Sequence, residues 1–279
     1  MEFSSYTQFY EDCKQFGMDY AVSHAAALGF DAVEYLALPY TEHPKSVQDF
    51  KTLLSRHGLS ISCYTVYVQL FTPDADEVER QMLQHVEAAA ELGAKYLHHT
   101  LFPVYKKEQI RHTYEEVWDG IVAMAERIAK ACNRYGITCL YEPQGAYFNG
   151  VKGLRAFLNE MRQRGCEVGI CGDFGNSLFV DVDPREVFRA FASDIRHIHI
   201  KDYQFVHSEH PEQQLHRSAG GKLFCDVPVG QGAVDFATGF EELKKADYHG
   251  AISFESAGSD TELTAAVSFI KELMKQAGF

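Results

Sequence analysis

The sequence predicts an α/β fold, a closed (β/α)8 TIM barrel, and three observations carry that prediction. A phrase of amphipathic helix, glycine and short β-rich run recurs along the chain. Eight β-rich runs can be counted, the number that closes such a barrel. Several of these runs end in a carboxylate, and parallel strands in a barrel gather their C-terminal ends on one face.

The repeated phrase first appears as Ala25 to Glu34, with Gly29 at the break, and again as Leu53 to Cys63, with Gly58. Gly93, Gly136, Gly165 and Gly250 mark further copies. A glycine just past a helix end supplies the left-handed residue that turns the chain into a strand. Repetition of helix, glycine and strand implies parallel strands joined by right-handed crossovers. The expected strands are Phe3–Tyr6, Ala32–Leu36, Ser60–Tyr64, Lys95–Thr100, Ile137–Glu142, Val168–Asp173, Ile195–Lys201 and Ala251–Glu255. Helices are expected at Asp76–Leu92, Lys107–Tyr135, Leu154–Arg164, Pro184–Phe191, Phe236–Lys245 and Thr261–Ala277. Asp183-Pro184 and Ser259-Asp260 read as helix starts. No linker or low-complexity run interrupts residues 1–279, so one domain is expected.

At 279 residues and 46% hydrophobic content the chain can bury a large core. A formal charge of −13 opposes a broad nucleic-acid footprint or an anionic membrane surface. The seven cysteines, an odd number without a C-x-x-C pair, read as reduced core thiols. Met1-Glu2-Phe3 does not resemble a signal peptide, and no apolar run reaches the roughly 18 residues of a membrane span. A cytoplasmic protein is expected, and a homo-oligomer is compatible with the sequence.

The stretch with most chemistry is Arg196 to Asp202, which alternates polar and β-branched residues. His197 and His199 then share one face, with Ile198 and Ile200 on the other. Glu142, Asp173 and Glu255 end neighbouring strands, so with His199 they are expected to form one pocket. Three buried carboxylates beside an imidazole need a compensating cation. That donor set favours Mn²⁺, with Co²⁺, Zn²⁺ or Mg²⁺ as alternatives, over Ca²⁺. His197 reads as a neighbour rather than a ligand. Lys201 is read as pointing opposite to His199, in a structural role. The long connection from Tyr203 to Gly230 carries His207, His210, His216, Arg217 and Lys222. Its irregular histidine spacing favours a solvated lid over a zinc cluster. Aromatic residues, among them Tyr6, Phe102, Tyr105 and Tyr203, are expected to line the rim.

At these residues the chain resembles the sugar-phosphate isomerase/epimerase superfamily of xylose isomerase-like TIM barrels, which includes ketose 3-epimerases, inosose dehydratase and endonuclease IV. The resemblance runs from Gly29-Phe-Asp-Ala-Val-Glu34 to Phe254-Glu255, and Val229 to Phe236 is similar to the family's Gly-x-Gly segment. It implies that Glu142, Asp173, His199 and Glu255 are the metal ligands. It also implies that Glu142 and Glu255 are the acid–base pair of an isomerase or epimerase working through an enediolate on a small sugar or sugar-derived substrate. Two departures stand out: Asn176 replaces a histidine usual in epimerases and endonuclease IV, and Pro143-Gln144-Gly145 follows Glu142. Asn176, His197, Arg217 and Lys222 are the candidate substrate-binding residues. A lyase of the inosose dehydratase or oxidised-glycoside-eliminating type is the alternative, because it needs the same metal and base. An endonuclease IV-like hydrolase fits less well, given Asn176 and the acidic charge, and a non-enzymatic sugar-binding protein would not need paired glutamates at a metal.

Overall fold

A computed structural model describes residues 1–37, 47–105, 109–207 and 215–279. Its centre is the expected barrel. Strands β1 (Phe3–Ser5), β2 (Ala32–Ala37), β3 (Ser60–Val66), β4 (Tyr96–His99), β5 (Thr138–Tyr141), β6 (Val168–Asp173) and β7 (Ile195–Ile200) follow in chain order. A last strand, β11 (Ala251–Phe254), closes the ring between β7 and β1, and every barrel pairing is parallel. All eight expected strands exist, with ends that move by no more than a few residues. The expectation for β6 coincides with the strand.

The connecting helices are α1 (Thr7–Phe16), α2 (Met18–Ala27), α3 (Val47–Arg56), α4 (Ala75–Leu92), α5 (Tyr114–Arg134), α6 (Gly145–Phe148), α7 (Gly150–Gln163), α8 (Pro184–Phe191), α9 (Phe236–Lys245) and α10 (Asp260–Gln276). Both anticipated helix starts carry the chemistry expected of them. The Asp183 side chain accepts from the Arg185 backbone N–H, and Ser259 and Glu262 form a reciprocal capping box. Helix α5 begins later than the Lys107 expected, because Thr113 and Glu116 form a second capping box there. Lys107 itself lies outside the described residues.

Gly29, Gly58, Gly93, Gly136 and Gly165 all adopt positive φ at helix ends, as the repeat predicts. Gly250 does not. The left-handed residue in that turn is Asp247, at φ 56°. Gly250 is there for space: a Cβ would run into the Arg196 carbonyl oxygen and the Tyr248 ring.

The largest departure is the connection after β7, read from sequence as one long loop. Its described part holds a three-stranded antiparallel sheet, β8 (Asp202–Val206), β10 (Leu223–Val227) and β9 (His216–Arg217), in that order. Leu223 faces Val206 and Val227 faces Asp202 in its register. Tyr203 and Phe224 are buried, and their rings lie 5.1 Å apart. Strands this short have pairing partners that local sequence does not name. His210 lies outside the described residues, whereas His216 faces Asp226 at 2.6 Å.

The main core lies between the barrel and its helices, where Ile198, Ile200 and Ile252 are buried. The barrel interior is unusually polar: Ser4, Glu34, Ser62, His98, His197 and His199 are all buried. The Ser4 and Ser62 hydroxyls bond to each other at 2.7 Å. All seven cysteines are free thiols, and every one but Cys13 is buried. Among the described residues no helix is long and apolar enough to cross a membrane.

Candidate metal centre

Strand register sets the site. Asp173, the last residue of β6, pairs with His199 of β7, and parallel neighbours this close place both side chains at one level. Glu142 immediately follows β5, and Glu255 immediately follows β11. The four side chains each offer a ligand atom, and these atoms all lie within 4.8 Å of one another. His199 Nδ1 is 3.1 Å from Glu142 Oε2 and 3.3 Å from Glu255 Oε2. The four residues named from the sequence as ligands are therefore brought together. Asp173 and His199 are buried, and Glu255 is the most open, with 28% of its side chain exposed.

The fixed donors around the cluster orient it. Asp173 Oδ1 accepts the backbone N–H groups of Gly175 and Asn176, the former at 2.7 Å. Asn176 Nδ2 donates to Glu142 Oε1 at 2.9 Å, so this side chain holds one carboxylate of the cluster. The Tyr6 ring stacks on His199 with centroids 5.0 Å apart.

Three contributors were not recognised from the sequence. Glu34, inside β2, faces His199 Nε2 at 3.0 Å and His197 Nε2 at 2.7 Å, and accepts from Thr65 Oγ1 at 2.5 Å. It therefore turns His199 so that Nδ1 points at the carboxylates, the usual role of a carboxylate behind a ligating imidazole. Burial alone would raise the Glu34 carboxyl, yet the two imidazoles hold it well below its ordinary range. A lone carboxylate within an apolar strand was the available signal. His98 is the second: its Nε2 stands 3.7 Å from Glu142 Oε2, and among the described residues neither ring nitrogen has a hydrogen-bond partner. Burial lowers its basicity.

Lys201 is the third, and it corrects the sequence reading. It lies two residues beyond His199, so the period-two alternation puts both on the same face, not opposite ones. Its Nζ donates to Glu255 Oε2 at 2.9 Å and lies 3.1 Å from Asp173 Oδ2. Burial would lower the ammonium, but Asp173 and Glu255 hold it well above its usual range.

The other candidates fall elsewhere. His197 is fully buried beneath the cluster, on Glu34. Arg217, on β9, and Lys222, just before β10, are exposed on the small sheet. Arg217 Nη1 reaches the Gly221 carbonyl at 3.4 Å, and Lys222 Nζ pairs with Asp181 at 3.3 Å. Asp202 anchors the Gly-x-Gly segment: its carboxylate accepts the backbone N–H groups of Gly230 and Gly232 at 3.0 and 2.9 Å.

These residues fit a divalent cation. Asp173 Oδ2 is buried without a hydrogen bond among the described residues, with the Lys201 ammonium 3.1 Å away. Burial, reinforced by Glu255 and Glu142 and opposed by Lys201, pushes Asp173 up to about 7. Both signs describe a pocket short of positive charge, with hard oxygen donors suited to such an ion.

A family model described as the xylose isomerase-like TIM barrel matches residues 22–273. The chain belongs to the xylose isomerase-like TIM barrels. Among relatives of this family, inosose dehydratase from Geobacillus kaustophilus (strain HTA426) is 23% identical over 252 residues, covering 85% of this chain and 79% of that protein. Solved structures of similar fold include an L-ribulose 3-epimerase, with a TM-score of 0.77, 16% identity, and coverage of 99% of this chain and 95% of that one. The IOLI protein, solved with a binding zinc atom, has a TM-score of 0.75 and 16% identity and covers 99% of both chains.

Proposed function

We propose that this protein is a divalent-metal-dependent sugar isomerase or epimerase that removes a proton beside a substrate carbonyl. The observation that carries the reading is the convergence of Glu142 and Glu255 on one imidazole, His199, from strands on either side of it. Glu142, Asp173, His199 and Glu255 would hold the ion, for which Mn²⁺ is the preferred candidate. The ion supplies Lewis-acid polarisation of the carbonyl, which acidifies the adjacent C–H.

The chain's own residues do the rest. One glutamate takes the proton and the other, already protonated, delivers its own to the opposite face of the same carbon, which inverts the stereocentre; delivery instead to the carbonyl carbon, with the neighbouring hydroxyl proton passing to the carbonyl oxygen, shifts the carbonyl. Asn176 fixes the angle of Glu142, and Glu34 fixes that of His199. The Tyr6 ring, stacked on His199 with centroids 5.0 Å apart, gives the cluster an apolar flank.

A second reading is supported by the names of the relatives. Abstraction of the same proton followed by loss of a β-hydroxyl makes the enzyme a dehydratase of a keto-polyol, and inosose dehydratases match most of the chain. Both readings share the first step. The test is incubation of metal-loaded protein in D₂O with ketoses, aldoses, inososes and keto-glycosides, followed by NMR and mass spectrometry. Deuterium beside the carbonyl in a product of unchanged formula marks the isomerase, and loss of water marks the dehydratase. Glu142→Gln and Glu255→Gln should each lower turnover by about 10²-fold or more. Full turnover in both variants would remove the acid–base assignment.

A further inference from the structure

The Lys201 ammonium occupies the space where two of the three ligand carboxylates face each other. Its Nζ touches Glu255 Oε2, the oxygen that also faces His199 Nδ1, and Asp173 Oδ2, which has no hydrogen bond among the described residues. The side chain is only 10% exposed, and its stem packs over Gly175, where a Cβ would contact Lys201 Cγ and Cε. The ammonium is therefore built into the site.

We propose that Lys201 is an internal counter-ion that takes the metal's place between Asp173 and Glu255 and must give way when a divalent ion binds. This inference rests on the proposed metal centre and adds what regulates it. Two like charges sharing the same oxygens repel, so the lysine competes with the metal. A lysine can do this because its charge rides on a flexible four-carbon stem and can leave without disturbing the strand. The competition has two consequences: in the metal-free protein the lysine offsets part of the repulsion between Asp173 and Glu255, which helps the protein stay folded, and the metal is held less tightly than the ligand set alone would hold it. The displaced ammonium remains beside the centre, as a donor for a substrate oxygen.

The experiment compares wild type, Lys201→Met and Lys201→Arg after dialysis against a chelator, using Mn²⁺ as the probe. Calorimetric titration should give a Kd for Lys201→Met about tenfold or more below that of wild type, since a full charge near two ligands is removed. Lys201→Arg, which keeps the charge, should stay near wild type. Melting of Lys201→Met in EDTA should fall below wild type, and saturating Mn²⁺ should close the gap. Folding of this variant only with Mn²⁺ would support the inference equally. An equal or weaker affinity for Mn²⁺ in Lys201→Met overturns it while leaving the metal centre intact. Absence of Mn²⁺ binding in wild type and variants overturns the metal centre and this inference together. If Lys201→Met fails to fold in every condition, wild type decides through reductive methylation read by peptide mass spectrometry. Faster labelling of Lys201 with Mn²⁺ supports displacement, and unchanged labelling refutes it.

Discussion

Replacing Glu34 tests whether the barrel interior beneath the cluster serves the metal. The carboxylate receives three contacts: His199 Nε2 at 3.0 Å, His197 Nε2 at 2.7 Å and Thr65 Oγ1 at 2.5 Å. A glutamine in its place keeps one acceptor oxygen and turns the other into a donor. At least one of the three partners then loses its acceptor, at a cost of about 1–3 kcal/mol. Alanine removes the carboxylate from all three contacts and with it one half of a fully buried ion pair, which costs about 3–5 kcal/mol. A domain with roughly 5–15 kcal/mol in total would feel that loss clearly in urea unfolding. The effect on metal is separate. Without Glu34 the His199 ring can rotate, and loss of such a supporting carboxylate weakens metal binding by about 10–100-fold. Glu34→Gln is therefore expected to fold, to unfold at lower urea, and to bind Mn²⁺ at least about tenfold more weakly by calorimetry. Glu34→Gln with unchanged metal affinity would refute the orienting role, and unchanged urea stability in Glu34→Ala would refute the ion-pair account as well.

The remaining predictions concern individual side chains. His199→Ala should lose most of its bound metal in elemental analysis, whereas His197→Ala, which removes no ligand, should retain it; equal metal content in wild type and His199→Ala would exclude the ligand assignment. Gly250→Ala forces a methyl group against the Arg196 carbonyl and should cost about 1–3 kcal/mol in a thermal or urea melt, while Gly29→Ala, with open space around it, should suffer only the left-handed backbone penalty of about 1 kcal/mol. His24 bridges Asp12 on α1 and Asp260 on α10 at 2.6 and 3.1 Å. Burial would lower its pKa, but these two carboxylates outweigh burial and raise it above its ordinary value. Its folded pKa exceeds the unfolded one, so its stabilising contribution is complete below the unfolded value of about 6.5 and disappears as pH rises through the folded value. The stability gap between wild type and His24→Gln should accordingly narrow from pH 6 to pH 9 in urea titrations, and a gap that widens would show the opposite sign of linkage.

The barrel was legible in the sequence because its causes are local. Helix, glycine and strand repeat with their own periodicities, and the left-handed turns at Gly29, Gly58, Gly93, Gly136 and Gly165 depend on backbone sterics within a few residues. The cluster of Glu142, Asp173, His199 and Glu255 was legible for a related reason. Each sits at a strand's C-terminal end, and a closed parallel barrel turns that repeated position into one place. What the chain order could not express is contact across the barrel. Glu34 and His199 are separated by 165 residues, and only closure of the ring brings the β2 carboxylate beneath the β7 imidazole. Lys201 shares the His199 face by simple alternation, but its partners Asp173 and Glu255 belong to the two strands that flank β7. The small sheet of β8, β10 and β9 likewise depends on pairing between segments too short to announce their partners. Local sterics and periodicity therefore determined which elements form and which residues reach the rim. Packing across the barrel decided which charges neutralise one another, because electrostatic partners are chosen by distance in space and not by separation along the chain.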